Sequence, residues 1–124
     1  MELVPGLDLD APPFDRLDAA SRERLQGAVD LGFFPAGSPL IEAGQGSESA
    51  YVVLRGRVEA CADGEHAAAV GEFGPGTILG THAVLHGRAR HRYRAREDTV
   101  CFLIPAGVFQ RLMADNPEFA RLMR

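Results

Sequence analysis

The sequence predicts a mainly β fold, in which eight short antiparallel strands form a sandwich or a jelly-roll barrel with short helices at the N-terminal and C-terminal ends. Two observations support this prediction. From residue 31 to residue 105, short apolar runs alternate at regular spacing with turns that contain glycine. Before and after that stretch, apolar residues recur at helical spacing instead. A chain of 124 residues can bury such a core as one domain.

The first helix is predicted to follow a short leader. Residues 1–13 contain three prolines and several acidic residues, which favours an extended leader, so the domain is expected to span residues 14–124. Asp18 suits a helix N-cap, and the helix is expected from Ala19 to about Val29. Its inward-facing residues would be Leu25, Ala28 and Val29, with Phe14 and Leu17 as a hydrophobic anchor before it.

The eight strands are predicted from the apolar runs between the turns. Their expected positions are Leu31–Phe34, Leu40–Ile41, Tyr51–Leu54, Arg57–Cys61, Ala67–Val70, Thr77–Leu79, Tyr93–Ala95 and Thr99–Ile104. The last run is apolar on both faces, which predicts a central, buried strand. Large apolar residues are expected to form the core: Tyr51, Val53, Phe73, Ile78, Leu85, Phe102 and Ile104.

Two helices are predicted after Pro105. The first has apolar residues at helical spacing, and Asn116-Pro117 provides a cap and an N1 proline for the second. Phe119, Leu122 and Met123 would form an apolar stripe on a last helix that is cut short at Arg124. We therefore expect this stripe to be exposed here, and to pack against an attached C-terminal domain, a partner helix or a second copy in a homodimer.

Composition and charge disfavour several classes of protein. A net charge of −4 argues against a general nucleic-acid binder. No apolar run has the length of a membrane span and no apolar signal region follows Met1, so we expect a cytoplasmic protein without a membrane partner. Cys61 and Cys101 lie in apolar segments without the spacing of a zinc site, which predicts two reduced, buried cysteines.

The segment from Gly71 to Asp98 contains the most informative functional pattern. A Gly-Pro-Gly turn leads to Gly80 and a short helical turn at Thr81–Leu85, and arginine then occupies every second position: Arg88, Arg90, Arg92, Arg94 and Arg96. Glycines that bring backbone N–H groups close to a ligand, followed by arginine, are what an anion site requires. The same arginines also fit a solvated strand face or a nucleic-acid patch, although Tyr93 alone is present there for base stacking.

Four histidines, His66, His82, His86 and His91, suggest a cupin-like metal site as an alternative. No His-x-His pair occurs, and His82 and His86, although at helical spacing, have no nearby carboxylate to complete a ligand set. No serine, cysteine or paired-carboxylate pattern indicates catalysis. We therefore expect no metal site and no enzyme activity.

The order of helix, eight-strand roll, glycine-containing segment and two helices resembles the cyclic nucleotide-binding domain superfamily over about Phe14 to Arg124. The matching segments are Phe34–Glu59, with Gly44, Gly46 and the run Tyr51–Gly56; Gly74–Leu85, similar to the entry to the family's phosphate-binding cassette; and Arg94–Phe109. The resemblance implies a jelly roll, or double-stranded β-helix, and a regulatory domain that binds cAMP, cGMP or another small anionic ligand. The stretches RAREDTVCFLIP and NPEFARL are also similar to N-terminal domains of bacterial signalling proteins that continue into paired CBS domains and a nucleotidyltransferase-like domain.

The cassette departs from the family pattern at two positions that the resemblance implies are functional. Thr81 stands where the family has a glutamate that accepts hydrogen bonds from the ribose 2′-hydroxyl. Counting forward from Gly80 places the family's phosphate-binding arginine at Arg90, whereas counting back from Ala95 places it at Ala89. The cassette is therefore one residue short, and weak binding of cAMP and cGMP is expected.

Strand alternation bears on which arginine enters the pocket. If Ala89, His91 and Tyr93 point inward, all five arginines point outward. A bulge, or a loop that ends after Arg88, would turn Arg88 or Arg90 inward. The expected ligand-binding residues are Gly80, Thr81, His82, Ala83, Arg88, Arg90 and His91. The alternatives are an interaction module that keeps the fold without a ligand and, with less support, a cupin-type metal-binding protein.

Overall fold

The computed structural model describes residues 7–61 and 69–123, and within them two antiparallel sheets lie face to face with helices at both ends of the chain. The strands are β1 (Asp30–Phe34), β2 (Pro39–Ile41), β3 (Ser49–Arg55), β4 (Val58–Cys61), β5 (Ala69–Phe73), β6 (Ile78–Leu79), β7 (Arg92–Ala95) and β8 (Thr99–Pro105). The helices are α1 (Ala19–Ala28), α2 (Thr81–His86), α3 (Ala106–Asp115) and α4 (Pro117–Met123), with a 3-10 turn at Phe14–Arg16.

Each sheet has four strands, in the orders β1-β8-β3-β6 and β2-β7-β4-β5. Strands that follow one another in sequence therefore often belong to different sheets, which is the arrangement of a jelly roll. The mainly β, eight-stranded prediction is confirmed. Of the predicted fifth strand, residues 67 and 68 lie outside the described residues, as does His66.

Strand β8 is central, as its two apolar faces predict. It pairs with β1 on one side and β3 on the other, with Phe102 opposite Leu31 and Val52. Thr99 and Cys101 on one face and Phe102 and Ile104 on the other are all at most 1% exposed. One face of β8 therefore lies inside the roll, and the other lies under the helices.

The helices cover the outer face of the β1-β8-β3-β6 sheet. Phe102 and Ile104 share one apolar cluster with Leu25 of α1 and with Phe109 and Phe119 of the C-terminal helices. The centroid of the Phe119 ring lies 5.9 Å from that of Phe109 and 6.1 Å from that of Phe14. Phe14 is thus buried, so the predicted hydrophobic anchor forms part of the core.

The last helix differs from the expectation of an exposed apolar stripe. Phe119 is fully buried, Met123 is half-buried and Leu122 is 44% exposed. The expectation is wrong for Phe119 because Phe14 and Phe109 supply its partners within the chain. Leu122 remains the exposed part of the stripe.

The N-terminal helix begins as predicted, since the side chain of Asp18 accepts a hydrogen bond from the backbone N–H of Ser21 at 2.8 Å. Buried Asn116 ties this cap to the end of α3. Its side chain accepts from the N–H of Asp18 at 2.9 Å and donates to Ser21 Oγ at 2.8 Å and to the carbonyl of Leu112 at 2.9 Å. Before the cap, residues 9–13 form turns and a bend rather than the expected extended leader, because the Leu9 side chain packs into the core.

Of the predicted core residues, Val53, Phe102 and Ile104 are at most 1% exposed. The other four are half-buried and pack against the core: Tyr51, Phe73, Ile78 and Leu85. All seven thus contribute to the core as predicted, and Phe73 and Ile78 are less buried because both also line a cleft.

Cys61 and Cys101 are buried, as predicted. Burial raises the pKa of the Cys101 thiol to about 11, so this thiol is protonated and unreactive at neutral pH. No helix in the described parts of the chain combines the length and the apolar character needed to cross a bilayer.

Candidate functional site

A cleft of about 320 Å³ opens where β6 turns into α2 and the chain enters β7. Side chains from β5, β6 and β7 form its apolar wall, and the start of α2 forms its polar end. Its lining residues are Phe73, Thr77, Ile78, Leu79, Gly80, Thr81, His82, Ala83, Ala89, Arg90, His91 and Tyr93. The volume lies at the lower end of the range for small-molecule sites.

Gly80 makes the tight corner that starts α2. Its φ of +83° lies in the left-handed region, and a Cβ at this position would lie 2.9 Å from Ile41 Cδ1. The Gly80 carbonyl accepts the first helical hydrogen bond from Val84 at 3.0 Å. The N–H groups of Thr81, His82 and Ala83 belong to the first turn, where a helix provides no backbone acceptor for them.

Six of the seven residues predicted for the site line the cleft, and Arg88 does not. The reason lies at Ala89, whose backbone is held on both sides. Its N–H donates to the carbonyl of Gln45 at 2.7 Å, and its carbonyl accepts from the N–H of Gly44 at 2.9 Å. The side chain of Ala89 is therefore buried, and Arg88, one residue earlier, is exposed.

Arg90 reaches the cleft because strand alternation does not extend to it. The chain bends at Arg90 and His91, and β7 begins only at Arg92. Strand alternation predicted that all five arginines point outward if Ala89, His91 and Tyr93 point inward. That prediction is wrong for Arg90, which lines the cleft. A loop geometry of the kind that the sequence left open places this arginine at the cleft.

The next three arginines pair with glutamates on the protein surface. Arg92 Nε lies 3.7 Å from Glu42 Oε1, and Arg94 Nε lies 2.5 Å from Glu59 Oε1. Arg96 pairs with Glu72. These contacts support the interpretation of Arg92, Arg94 and Arg96 as part of a solvated strand face. They also neutralise the charge that a nucleic-acid patch would need.

The electrostatics of the cleft favour an anion. Among the described residues that line it, Arg90 is the charged one and no side chain is acidic. Burial, and then the charges of Arg90 and His86, lower the pKa of His82, so its imidazole is neutral near pH 7. Burial also raises the pKa of the Tyr93 phenol, which stays protonated.

A second groove, of about 690 Å³, adjoins the cleft and reaches the C-terminal helices. Its lining residues are Thr81, His82, Leu85, His86, Arg90, Met113 and Met123, and it shares Thr81, His82 and Arg90 with the cleft. The Gln110 side chain on α3 donates to the carbonyl of Val84 on α2 at 3.2 Å. Helix α2 is thus in direct contact with α3.

Sequence reasoning missed the apolar half of the site: Phe73, Thr77, Ile78 and Leu79. The alternation considered above, with Ala89 and Tyr93 inward, was the available signal for the part of the wall that these two residues form. The rings of Phe73 on β5 and Tyr93 on β7 lie 6.4 Å apart, on either side of the intervening strand β4. Within residues 7–61 and 69–123, no three histidine, cysteine, aspartate or glutamate side chains are grouped so as to hold a metal ion.

Comparison with known proteins identifies the family. The family model described as cyclic nucleotide-binding domain matches residues 31–116, which include both sheets and the cleft. No curated protein matches the chain.

Solved structures with the same fold include regulatory domains of several kinds. The C-linker/CNBHD of zELK channels, crystallised in the presence of cAMP, has a TM-score of 0.76 at 19% identity, over 93% of this chain and 59% of that one. The regulatory subunit of a cAMP-independent protein kinase A from Trypanosoma brucei has a TM-score of 0.74 at 23% identity, over 86% and 38%. The regulatory domain of Toxoplasma gondii PKA with cAMP has a TM-score of 0.77 at 19% identity, over 92% and 44%. This chain spans less than two thirds of each, and at such identities the likeness establishes the fold alone.

Proposed function

The chain belongs to the cyclic nucleotide-binding domain family, and from this premise we propose that it is a regulatory module with a divergent phosphate-binding cassette that senses a small anionic ligand. One observation carries the proposal. The single cleft-lining arginine, Arg90, lies at the same cleft as the first turn of α2, with no acidic side chain among the described lining residues. An anion placed there would accept hydrogen bonds from Arg90 and from the backbone N–H groups of Thr81–Ala83.

The ligand class follows from the shape of the cleft. Phe73, Ile78, Leu79 and Tyr93 form an apolar wall beside the cationic end. A ligand with an anionic group and a flat or apolar body fits both parts, which describes a cyclic nucleotide or a relative. Phe73 and Tyr93 would contact that body, while His82 and His91 would contact its polar edges.

Cyclic nucleotides themselves are expected to bind weakly. Thr81 replaces the family's glutamate, and a hydroxyl provides a hydrogen bond without charge. A charge-assisted hydrogen bond contributes about 1.5–3 kcal/mol, so its loss weakens binding by about tenfold to a hundredfold. We expect isothermal titration to give Kd values for cAMP and cGMP weaker than about 100 μM. A low-micromolar Kd for cAMP that is lost in Arg90→Ala would overturn the divergent cassette and make this an ordinary cyclic nucleotide sensor.

The role of Arg90 is tested by a matched pair of variants. Arg88 and Arg90 are both exposed and two residues apart, but only Arg90 lines the cleft. Arg90→Ala is expected to weaken cAMP binding by about tenfold or more, whereas Arg88→Ala leaves it within about twofold. Because truncation of either exposed side chain leaves the core intact, both variants should melt at the temperature of the parent. Equal losses in the two variants would contradict the assignment.

We propose that the C-terminal helices α3 and α4 transmit ligand binding to the rest of the protein or to a partner. The groove that shares Thr81, His82 and Arg90 with the cleft is closed by Met113 of α3 and Met123 of α4. A ligand that draws Arg90 towards the cleft would change what these helices contact and so shift their position. We propose that this movement informs attached C-terminal domains, as in the bacterial signalling proteins with CBS and nucleotidyltransferase-like domains that the sequence resembles, or a partner helix or second copy of the chain. In this proposal the domain regulates and does not catalyse.

A second candidate, an interaction module that keeps the fold without a ligand, is favoured by one feature. Thr81 and the shortened cassette remove contacts that the family uses for the nucleotide. Titration separates the two candidates, because the interaction module would bind neither cAMP, cGMP nor inorganic phosphate at millimolar concentration.

A further inference from the structure

Two histidines on α2 have neighbouring rings, and both line the second groove. His82 and His86 are four residues apart on this helix, so their side chains lie on one face. Their ring centroids are 4.5 Å apart, with the ring planes inclined at 43°. His86 is exposed and does not line the ligand cleft, whereas His82 lines both the cleft and the groove, so the pair adjoins the anion site and shares His82 with it.

We propose that His82 and His86 bind a late first-row transition-metal ion, with Cu²⁺ preferred over Ni²⁺ and Zn²⁺. Two imidazoles at positions i and i+4 of a helix form a natural chelate, and imidazole suits these metals. Water molecules would complete the coordination. The inference goes beyond the anion-sensing role and does not depend on it.

The spacing of the rings agrees with this assignment. A metal lies about 2.0–2.1 Å from an imidazole nitrogen, which places it roughly 3.2 Å from the ring centroid. Two such ligands that meet at a right angle have centroids about 4.5 Å apart, whereas a tetrahedral angle separates them by about 5.2 Å. At the observed 4.5 Å the two rings are close enough for both to reach one metal ion.

The surroundings define the limits of the site. Met113 and Met123 line the same groove. Arg90 also lines the groove, and its charge opposes a bound cation. Arg90 therefore has opposite expected effects on the two ligands: it favours the anion and disfavours the metal.

The test is calorimetric titration of the purified chain with CuCl₂, NiCl₂, ZnCl₂ and MgCl₂ in a buffer that does not chelate metals. We expect one Cu²⁺ per chain with a Kd tighter than about 100 μM, weaker binding of Ni²⁺ and Zn²⁺, and no binding of Mg²⁺. His86→Gln should weaken Cu²⁺ binding by about tenfold or more. His66→Gln is the matched control. It also removes one histidine, but His66 has no second histidine at helical spacing in the sequence.

Arg90→Ala should change the two affinities in opposite directions. Removal of the Arg90 charge should tighten Cu²⁺ binding severalfold and weaken anion binding. Circular dichroism without metal verifies that each variant is folded. The proposal is overturned if His86→Gln binds Cu²⁺ as tightly as the parent, if His66→Gln loses as much affinity as His86→Gln, or if the parent binds no Cu²⁺ below about 100 μM.

Discussion

Phe102→Ala is expected to lower the free energy of unfolding by about 3–5 kcal/mol, the range for removing a large aromatic side chain from a packed core. Phe102 is 1% exposed and lies on the central strand β8, where it joins the sheet to the helices. Its cluster includes Leu25 of α1 and Phe109 of α3, so the cavity would open between three elements. Urea denaturation followed by circular dichroism measures the change, provided that the m-value stays constant.

Phe33→Ala is the matched control for this substitution. Phe33 lies on β1, the strand next to β8, and its side chain is 61% exposed. The same truncation there should change the free energy of unfolding by less than about 1 kcal/mol. Equal losses at the two positions would contradict the placement of Phe102 in the core.

Gly56→Ala is expected to destabilise the domain by about 2–5 kcal/mol through two separate effects. Gly56 has a φ of +94°, a conformation that costs a residue with a Cβ about 1–2 kcal/mol. An added Cβ would also lie 2.5 Å from the carbonyl oxygen of Asp98 and 2.5 Å from Thr99 Oγ1. Thr99 is fully buried, so the turn between β3 and β4 would have to move, at a cost of about 1–3 kcal/mol.

Gly76→Ala separates the two effects. Gly76 has a φ of +92°, but a Cβ added there meets no atom within 4 Å. This variant should therefore show only the backbone cost of about 1–2 kcal/mol. If thermal and urea denaturation gave the same loss for both glycines, the contact with Asp98 and Thr99 would carry no energy and the account of this turn would be wrong.

Much of the fold could be predicted from the sequence because local signals and long-range packing agree. The doubly apolar run at Thr99–Ile104 indicated a central strand, and β8 has a neighbour on each side. Asp18 indicated a helix start, and its side chain forms the cap. Burial of Phe119 could not be predicted in the same way, because its partner Phe14 is far away in sequence and only the fold brings the two rings together.

The candidate site was predictable only in part. The glycine corner and the short helix at Thr81 follow from local sequence, and six of the seven predicted residues do line the cleft. The choice between Arg88 and Arg90 depends on hydrogen bonds between Ala89 and residues more than forty positions earlier, at Gly44 and Gln45. Such contacts leave no periodic pattern in the sequence. The pairing of Arg94 with Glu59 likewise follows from strand register, which the sequence did not specify.

The measurement that tests the central claim most directly is a ¹H–¹⁵N correlation NMR titration of the chain with cAMP up to millimolar concentration. It reports weak binding and its location at the same time. The account predicts shift changes that start at Gly80–Ala83 and Arg90–His91 and extend to α3 and α4, with Arg90→Ala suppressing both and Arg88→Ala neither. Shift changes that are absent from Gly80–His91, or that concentrate around Leu7–Phe14, which do not line the cleft, would contradict it.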